Sequence, residues 1–269
     1  MRGMWRGGYG AKGKIEAWED CVYPVSGGLK MGLIEDIDKI VGSLGIEREP
    51  VGVKYTDEDP PAGVEERKHT VCGGILEASD GEIIELSEDK CACFGGKKHL
   101  GLTEKGKTPW KMLVEGEKLW FDLKTAIRSG TETERIAKPP VGLSKKVFLY
   151  PVRKDLFQPD IVLFLINAEQ ASRLITLNQF WDGKTPSFEM RGAMCWSTIT
   201  YPLVSGNFNL SVGDITARRM EGWDPDIMIA SIPSERIKGI ADAIDLSTAG
   251  LAKPSEEFER LTERIRSRR

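Results

Sequence analysis

The chain predicts an α/β fold, a mixed β-sheet with flanking helices, and three observations carry that expectation. Short β-rich runs alternate with amphipathic helical patterns over most of its length. One run, Ile161-Val162-Leu163-Phe164-Leu165-Ile166, is apolar throughout, as a central strand buried on both faces is. Pro139-Pro140 is the clearest internal boundary, and each side of it offers a β-rich run, a connection and then a Gly-flanked cysteine, Cys72 and Cys195. An α+β arrangement is the alternative.

The elements follow in order. Residues 1–30 carry many glycines with no periodicity and read as an extension. Leu33, Ile34, Ile37, Ile40, Val41 and Leu44 mark one face of a helix that stops at Gly45. Val51, Val53 and Tyr55 alternate as in a strand, which the loop Asp57 to Gly63 ends. Ile75 to Ala78 suits a short helix, and Asp80-Gly81 turns the chain into a strand from Glu82 to Leu86. Ser87-Glu88-Asp89 is capping material, which puts Cys91 and Cys93 in or just before the first turn of another helix. Thr103 to about Pro139 reads mainly as helix, starting at Thr108-Pro109, with Trp110, Leu113 and Val114 as its apolar stripe.

Beyond the boundary, Lys146 to Val152 and Asp160 to Ile166 are strands, and Glu169 to Phe180 is a helix closed by Asp182-Gly183. Gly192 to Val204 suits a helix that carries Cys195. Strands near Leu210 to Ala217 and Ile227 to Ile232 precede a helix from Pro233-Ser234 through Ile244. The division is therefore an extension at 1–30, one α/β domain at 31–250 with candidate halves 31–138 and 141–250, and a basic amphipathic helix at 251–269. In that last helix Phe258, Leu261 and Ile265 share a face suited to a terminal cap or a homodimer contact.

Composition narrows the function. With 269 residues, the chain can bury a full core. A net charge of -3 and a pI near 5.7, with basic and acidic residues interleaved, offer no global attraction to a phosphate backbone. Nucleic acid is not an expected partner. No apolar run approaches the length of a membrane span, and the N-terminus has no apolar h-region, so the expectation is a cytoplasmic protein without a membrane partner. Reduced thiols belong to that compartment, and five cysteines are an odd number for a disulfide framework.

Four of the cysteines carry the strongest hint of chemistry. Cys72, Cys91, Cys93 and Cys195 supply soft sulfur ligands, suited to an iron–sulfur cluster or, alternatively, zinc. Cys72 and Cys93 each adjoin a Gly-Gly pair that would let backbone approach a bulky group, and Cys72 and the Cys91 and Cys93 pair are expected to precede helices, where N–H groups lower a thiol pKa. Three readings stand: metal or cluster ligation, thiol redox or nucleophilic use, and plain burial. His69 and His99 flank the cysteines and could join a mixed zinc site, although an ordinary hydrogen-bonded histidine is the simpler use. Cys21 lies in the extension and is incidental.

Other motifs add less. Gly8-Tyr9-Gly10-Ala11-Lys12-Gly13 matches a dinucleotide fingerprint, but no strand precedes it to aim backbone at a phosphate. No nucleotide cofactor is indicated. Glu169, Gln170 and Arg173, with Asp214, Arg218 and Arg219, form a candidate polar ligand-binding cluster near Cys195, against the plainer reading of surface salt bridges. Expected partners are a small molecule or a redox protein.

The run Pro50-Val51-Gly52-Val53-Lys54, Cys72, Cys93 through Leu102, Gln158 through Val162 with Glu169-Gln170-Ala171, and Ala193 to Pro202 followed by Asn209-Leu210-Ser211 resembles domain of unknown function 169. These are the uncharacterised ArCR proteins of archaea and bacteria. The resemblance covers about residues 33–246 and implies no activity. It implies family cysteines at Cys72, Cys93 and Cys195, with Cys91 an addition and Ala168 in place of a usual proline. Three thiolates with an open coordination position would then suit a catalytic metal or cluster. The leading expectation is a cysteine-ligated metal or iron–sulfur protein with a redox or small-molecule role; a non-enzymatic binding protein with structural cysteines is the competing one.

Overall fold

The computed structural model describes residues 32–64, 66–104, 122–134, 138–190, 193–251 and 255–268. The expected extension, Cys21 and the Trp110, Leu113, Val114 stripe lie outside these residues. Helix α1 (Leu33–Leu44) precedes strand β1 (Val51–Thr56), helix α2 (Val71–Ser79), strand β2 (Ile84–Ser87), helix α3 (Phe94–His99) and helix α4 (Leu123–Glu134). Strands β3 (Lys146–Pro151) and β4 (Ile161–Ile166) and helix α5 (Ala168–Asp182) follow. A π-helical segment, Trp196–Thr200, runs into α6 (Tyr201–Ser205). The chain continues through β5 (Asn209–Val212), α7 (Ile215–Met220), β6 (Met228–Pro233), α8 (Ser234–Ile244) and α9 (Glu256–Arg266).

The strands form one six-stranded sheet in the order β2-β3-β1-β4-β6-β5, flanked by helices, so the fold is α/β. Every strand pairing in it is antiparallel, which corrects the expectation of a mixed sheet. The reason lies in one insertion per half. β1 and β2 do run the same way, as a strand–helix–strand unit implies, but β3 fits between them and pairs antiparallel with both.

The two halves repeat strand for strand. β1 and β4 have six residues each, β2 and β5 four, and β3 and β6 six. Registers agree as well: Val51 faces Pro151 as Ile161 faces Pro233, and Ser87 faces Lys146 as Val212 faces Met228. The halves meet where β1 pairs antiparallel with β4, Gly52 opposite Val162. A pseudo-twofold axis normal to the sheet therefore passes between these strands. α2 and the helical stretch from Met194 to Ser205 take equivalent places, each joining the first strand of its half to the second. α5 has no counterpart in the first half.

Alternation along the strands builds two layers. Val51, Val53, Tyr55, Ile161, Leu163 and Leu165 point to one face, where α2, Met194, Ile199 and Ala217 cover them. Val162, Phe164 and Ile166 point to the other, under α1, α5 and α8. On that second side Phe148 and Tyr150 pack with Ile83. No helix among the described residues is long and apolar enough to cross a membrane. On α9 the stripe of Phe258, Leu261 and Ile265 is exposed in this single chain.

Some local expectations shift. α2 begins at Val71 rather than Ile75, because Thr70 caps it by accepting the Gly73 N–H at 2.9 Å. β5 ends at Val212, since Asp214 caps α7 by accepting from the Ala217 N–H. Gly52 has a packing reason: a Cβ there would meet the Tyr150 ring at 2.6 Å. Tyr150 is fully buried and its hydroxyl donates to the Phe157 carbonyl at 2.8 Å, so the ring has nowhere to move. Gly52→Ala is expected to cost about 1–3 kcal/mol of stability. Urea denaturation checks this, and an unchanged midpoint would show the ring free to give way.

Candidate functional site

The helix-covered face with α2 gathers all four cysteines of the described residues. Cys91 and Cys195 are buried in its core, and Cys72 and Cys93 are half-buried against the same core. Each arrives on a different local device. Cys72 is the second residue of α2. Cys93 caps α3 with its own sulfur, which accepts the Gly96 N–H at 3.2 Å. Cys195 stands immediately before the π-helical segment, a distortion frequent at functional sites. Cys91 lies in the connection between β2 and α3, where it pairs as an isolated bridge with His69 and its thiol donates to the Cys93 carbonyl at 3.4 Å.

The sulfurs sense one another. Burial pushes the Cys195 thiol well above its ordinary value, and Cys93, Cys72, Asp214 and Cys91 push it further. Cys72 is raised by burial first, then by Asp214, Cys93 and Glu221. Cys91 is pushed up to about 12 by burial and then by Cys93. The expectation that helix starts would lower the thiol pKa therefore fails for Cys72: removal from water and neighbouring negative charge outweigh the N–H groups of the first turn. A thiol held protonated is a poor nucleophile, so Cys72, Cys91 and Cys195 are poorly set for nucleophilic attack.

The glycines also differ from expectation. The place of a Gly73 Cβ is taken by Glu221 Oε2 at 2.6 Å, and that of Gly96 by Val71 at 2.6 Å. Gly74 packs on Ile84 and Leu149 of the sheet. Of the four glycines beside Cys72 and Cys93, only Gly95 meets nothing within 4 Å. They let protein pack on protein, helix to sheet and helix to helix. Among the described residues no group of three or more His, Cys, Asp or Glu side chains stands ready to hold a single metal ion.

Among the described residues, the Tyr55 hydroxyl and the Trp223 indole N–H in the same core have no hydrogen-bond partner, nor has the Ser231 hydroxyl. Burial first, then Asp160 and Cys195, pushes the Tyr55 hydroxyl well above its ordinary value. Buried polar atoms left this way ask for an explanation. Sequence reasoning missed both Tyr55 and Trp223. Tyr55 was within reach, because it shares a strand face with Val51 and Val53; Trp223 gave no signal.

Both histidines are buried, and His69 Nε2 has no hydrogen-bond partner among the described residues. His69 Nδ1 lies 2.6 Å from Glu77 Oε2, and the His69 main chain bonds Lys90 and Ala92. The His99 carbonyl accepts from Thr200 at 2.5 Å, tying α3 to the π-helical segment.

The polar residues divide between the layers. Asp214 joins the cysteines, accepting the Met194 N–H at 3.2 Å beside Cys195. Arg218, one turn on, spends its guanidinium on the carbonyls of Gly213, Asp224 and Ile227. Arg219 belongs to the same short helix. Glu169, Gln170 and Arg173 lie on α5, across the sheet from Cys195, so the structure does not join them to it. Gln170 completes a capping box with Asn167 and donates to the Leu44 and Gly45 carbonyls; Arg173 donates to Ala249 and Ser43 carbonyls. An open cleft of about 490 Å³ runs beside α2, with Gly73, Glu77 and Glu221 in its wall.

The raised thiols set a pH dependence. Between the ordinary cysteine value of 9.0 and the folded value of about 12, folded Cys91 keeps a proton that the unfolded chain releases. Stability must then fall as pH rises through that window, by up to about 1.4 kcal/mol per pH unit for each such thiol. Urea midpoints of the reduced, metal-free protein from pH 8 to 10.5 should decline, and Cys91→Ala should decline less steeply. Equal slopes would contradict the assignment.

No curated protein and no solved structure matches the chain. The family described as uncharacterised ArCR, domain of unknown function 169, matches residues 39–243, which takes in β1 through most of α8 and all four of these cysteines. The chain belongs to the uncharacterised ArCR family.

Proposed function

We propose that this protein holds an iron–sulfur cluster through Cys72, Cys93 and Cys195, and that the cluster serves a redox or small-molecule role. The observation that carries the reading is that three cysteines, from segments far apart in sequence, lie in or against one core, where Cys93 and Cys72 both raise the Cys195 thiol and Cys93 raises that of Cys72. Burying several thiols side by side has no use in packing that smaller apolar residues would not serve. A soft metal centre changes the balance, because it binds the thiolates that burial otherwise forbids.

Zinc is the weaker alternative. A single ion draws its ligands tightly around one point, and no such group stands ready among the described residues. A polynuclear cluster holds its cysteines further apart, since iron and sulfide fill the middle. The unpartnered Tyr55 hydroxyl and Trp223 N–H suit it too, as donors to sulfur that tune a cluster's potential. Cys91 has a packing role of its own, which fits its standing as an extra cysteine.

The test is anaerobic purification, or reconstitution with iron and sulfide, followed by visible absorption and by iron and acid-labile sulfide analysis. About four irons per chain are expected. Cys72→Ser, Cys93→Ser and Cys195→Ser should each lose most of the chromophore, whereas Cys91→Ser should keep it. A colourless, iron-free protein after reconstitution, with all four variants folded and alike, sinks the reading.

A further inference from the structure

The repeat of the two halves carries the site one step further. β2 is followed by the six-residue helix α3, and β5 by the six-residue helix α7. Each of these helices is capped in the same way. The Cys93 sulfur accepts the N–H three residues on, from Gly96, and the Asp214 carboxylate accepts the N–H three residues on, from Ala217. Cys93 and Asp214 are thus the same position in the two halves, one a thiol and one a carboxylate.

Cys72 and Cys195 are a second such pair. Each stands at the start of the helical stretch that joins the first strand of its half to the second, and both stretches lie on one face of the sheet. A rotation normal to the sheet keeps that face, so it places four side chains around the axis: Cys72 with Cys195, and Cys93 with Asp214. Cys91 has no equivalent. It belongs to the longer connection of the first half, where residues 88–92 separate β2 from the cap; only Gly213 separates β5 from Asp214.

We propose that Asp214 is the fourth ligand of the cluster, which sits on the pseudo-twofold axis with a three-cysteine, one-aspartate set, and that Cys91 is not a ligand. This rests on the reading of Cys72, Cys93 and Cys195 as cluster ligands. A carboxylate binds iron less strongly than a thiolate and exchanges more readily, so the iron at Asp214 is the one an incoming small molecule would reach. Asp214 retains acceptor capacity for this beyond its bonds to the Met194 and Ala217 N–H groups.

Three variants separate the outcomes, each reconstituted and measured for iron content and by electron paramagnetic resonance. Asp214→Asn keeps an oxygen for the cap but no charge, and should lose about one iron in four with a changed signal. Asp214→Cys should retain the full iron content with the signal of an all-thiolate cluster, since Cys93 already shows that a sulfur can cap such a helix. Cys91→Ala should match the wild type in both measurements. Circular dichroism of the metal-free forms separates ligand loss from unfolding, and if Asp214→Asn does not fold, Asp214→Cys decides alone by its signal. The proposal is overturned if the foldable Asp214 variants keep the wild-type signal, or if Cys91→Ala loses iron. A wild type that takes up no iron overturns the cluster reading itself.

Discussion

The antiparallel pairing of β1 with β4 is the contact on which the rest of the architecture hangs. Val51 lies opposite Leu163 and Val53 opposite Ile161, and these side chains point toward the cysteine-bearing face. With that register set, each half extends outward by the same two pairings, and the helical stretches that start at Val71 and Met194 fall on one face. A slip of one residue would turn every one of those apolar side chains to the opposite layer. The seam is therefore where the core of the two halves joins, on the face that also carries the four cysteines.

Close packing at the seam comes from small residues used against large ones. Gly52 admits the Tyr150 ring behind the sheet, Gly74 admits Ile84 and Leu149, and Gly96 admits Val71. Gly73 leaves room for Glu221, whose other oxygen accepts from the Thr70 hydroxyl at 2.7 Å. That link ties the start of α2 to the end of α7, across the two halves. The Thr200 hydroxyl does the same for α3 and the π-helical segment. The segments that carry the cysteines and Asp214 are thus bound to one another by contacts that need no cofactor.

Much of the fold was legible in the sequence because its signals are local. The alternation at Val51, Val53 and Tyr55, the apolar run of β4, Gly45 and Gly183 as helix stops, and the stripe of α1 all gave elements close to those observed. Strand order was not legible, since nothing local says that β3 inserts between β1 and β2. The start of α2 at Val71, ahead of the expected Ile75, was not legible, because the packing that accommodates Gly73 and Gly74, on Glu221 and the sheet, comes from residues distant in sequence. For the candidate site, cysteine spacing singled out four residues that the structure gathers on one face of the sheet. Asp214 was noticed as a polar neighbour of Cys195, but its equivalence to Cys93 needed the two caps to be seen in space. Glu169, Gln170 and Arg173 were misplaced beside it because a helix that follows a buried strand can cover either layer.

The most direct test of convergence at the seam needs no metal. A short bifunctional thiol reagent, applied to the reduced, metal-free, folded protein and followed by mass spectrometry of the peptides, reports which cysteines lie within a few atoms of each other. Bridged peptides that join Cys195 to Cys72 or to Cys93 are the predicted products, since these sulfurs belong to opposite halves. Bridges confined to Cys91 and Cys93, with Cys195 carrying only single-ended adducts, would contradict a thiol site built across the pseudo-twofold axis.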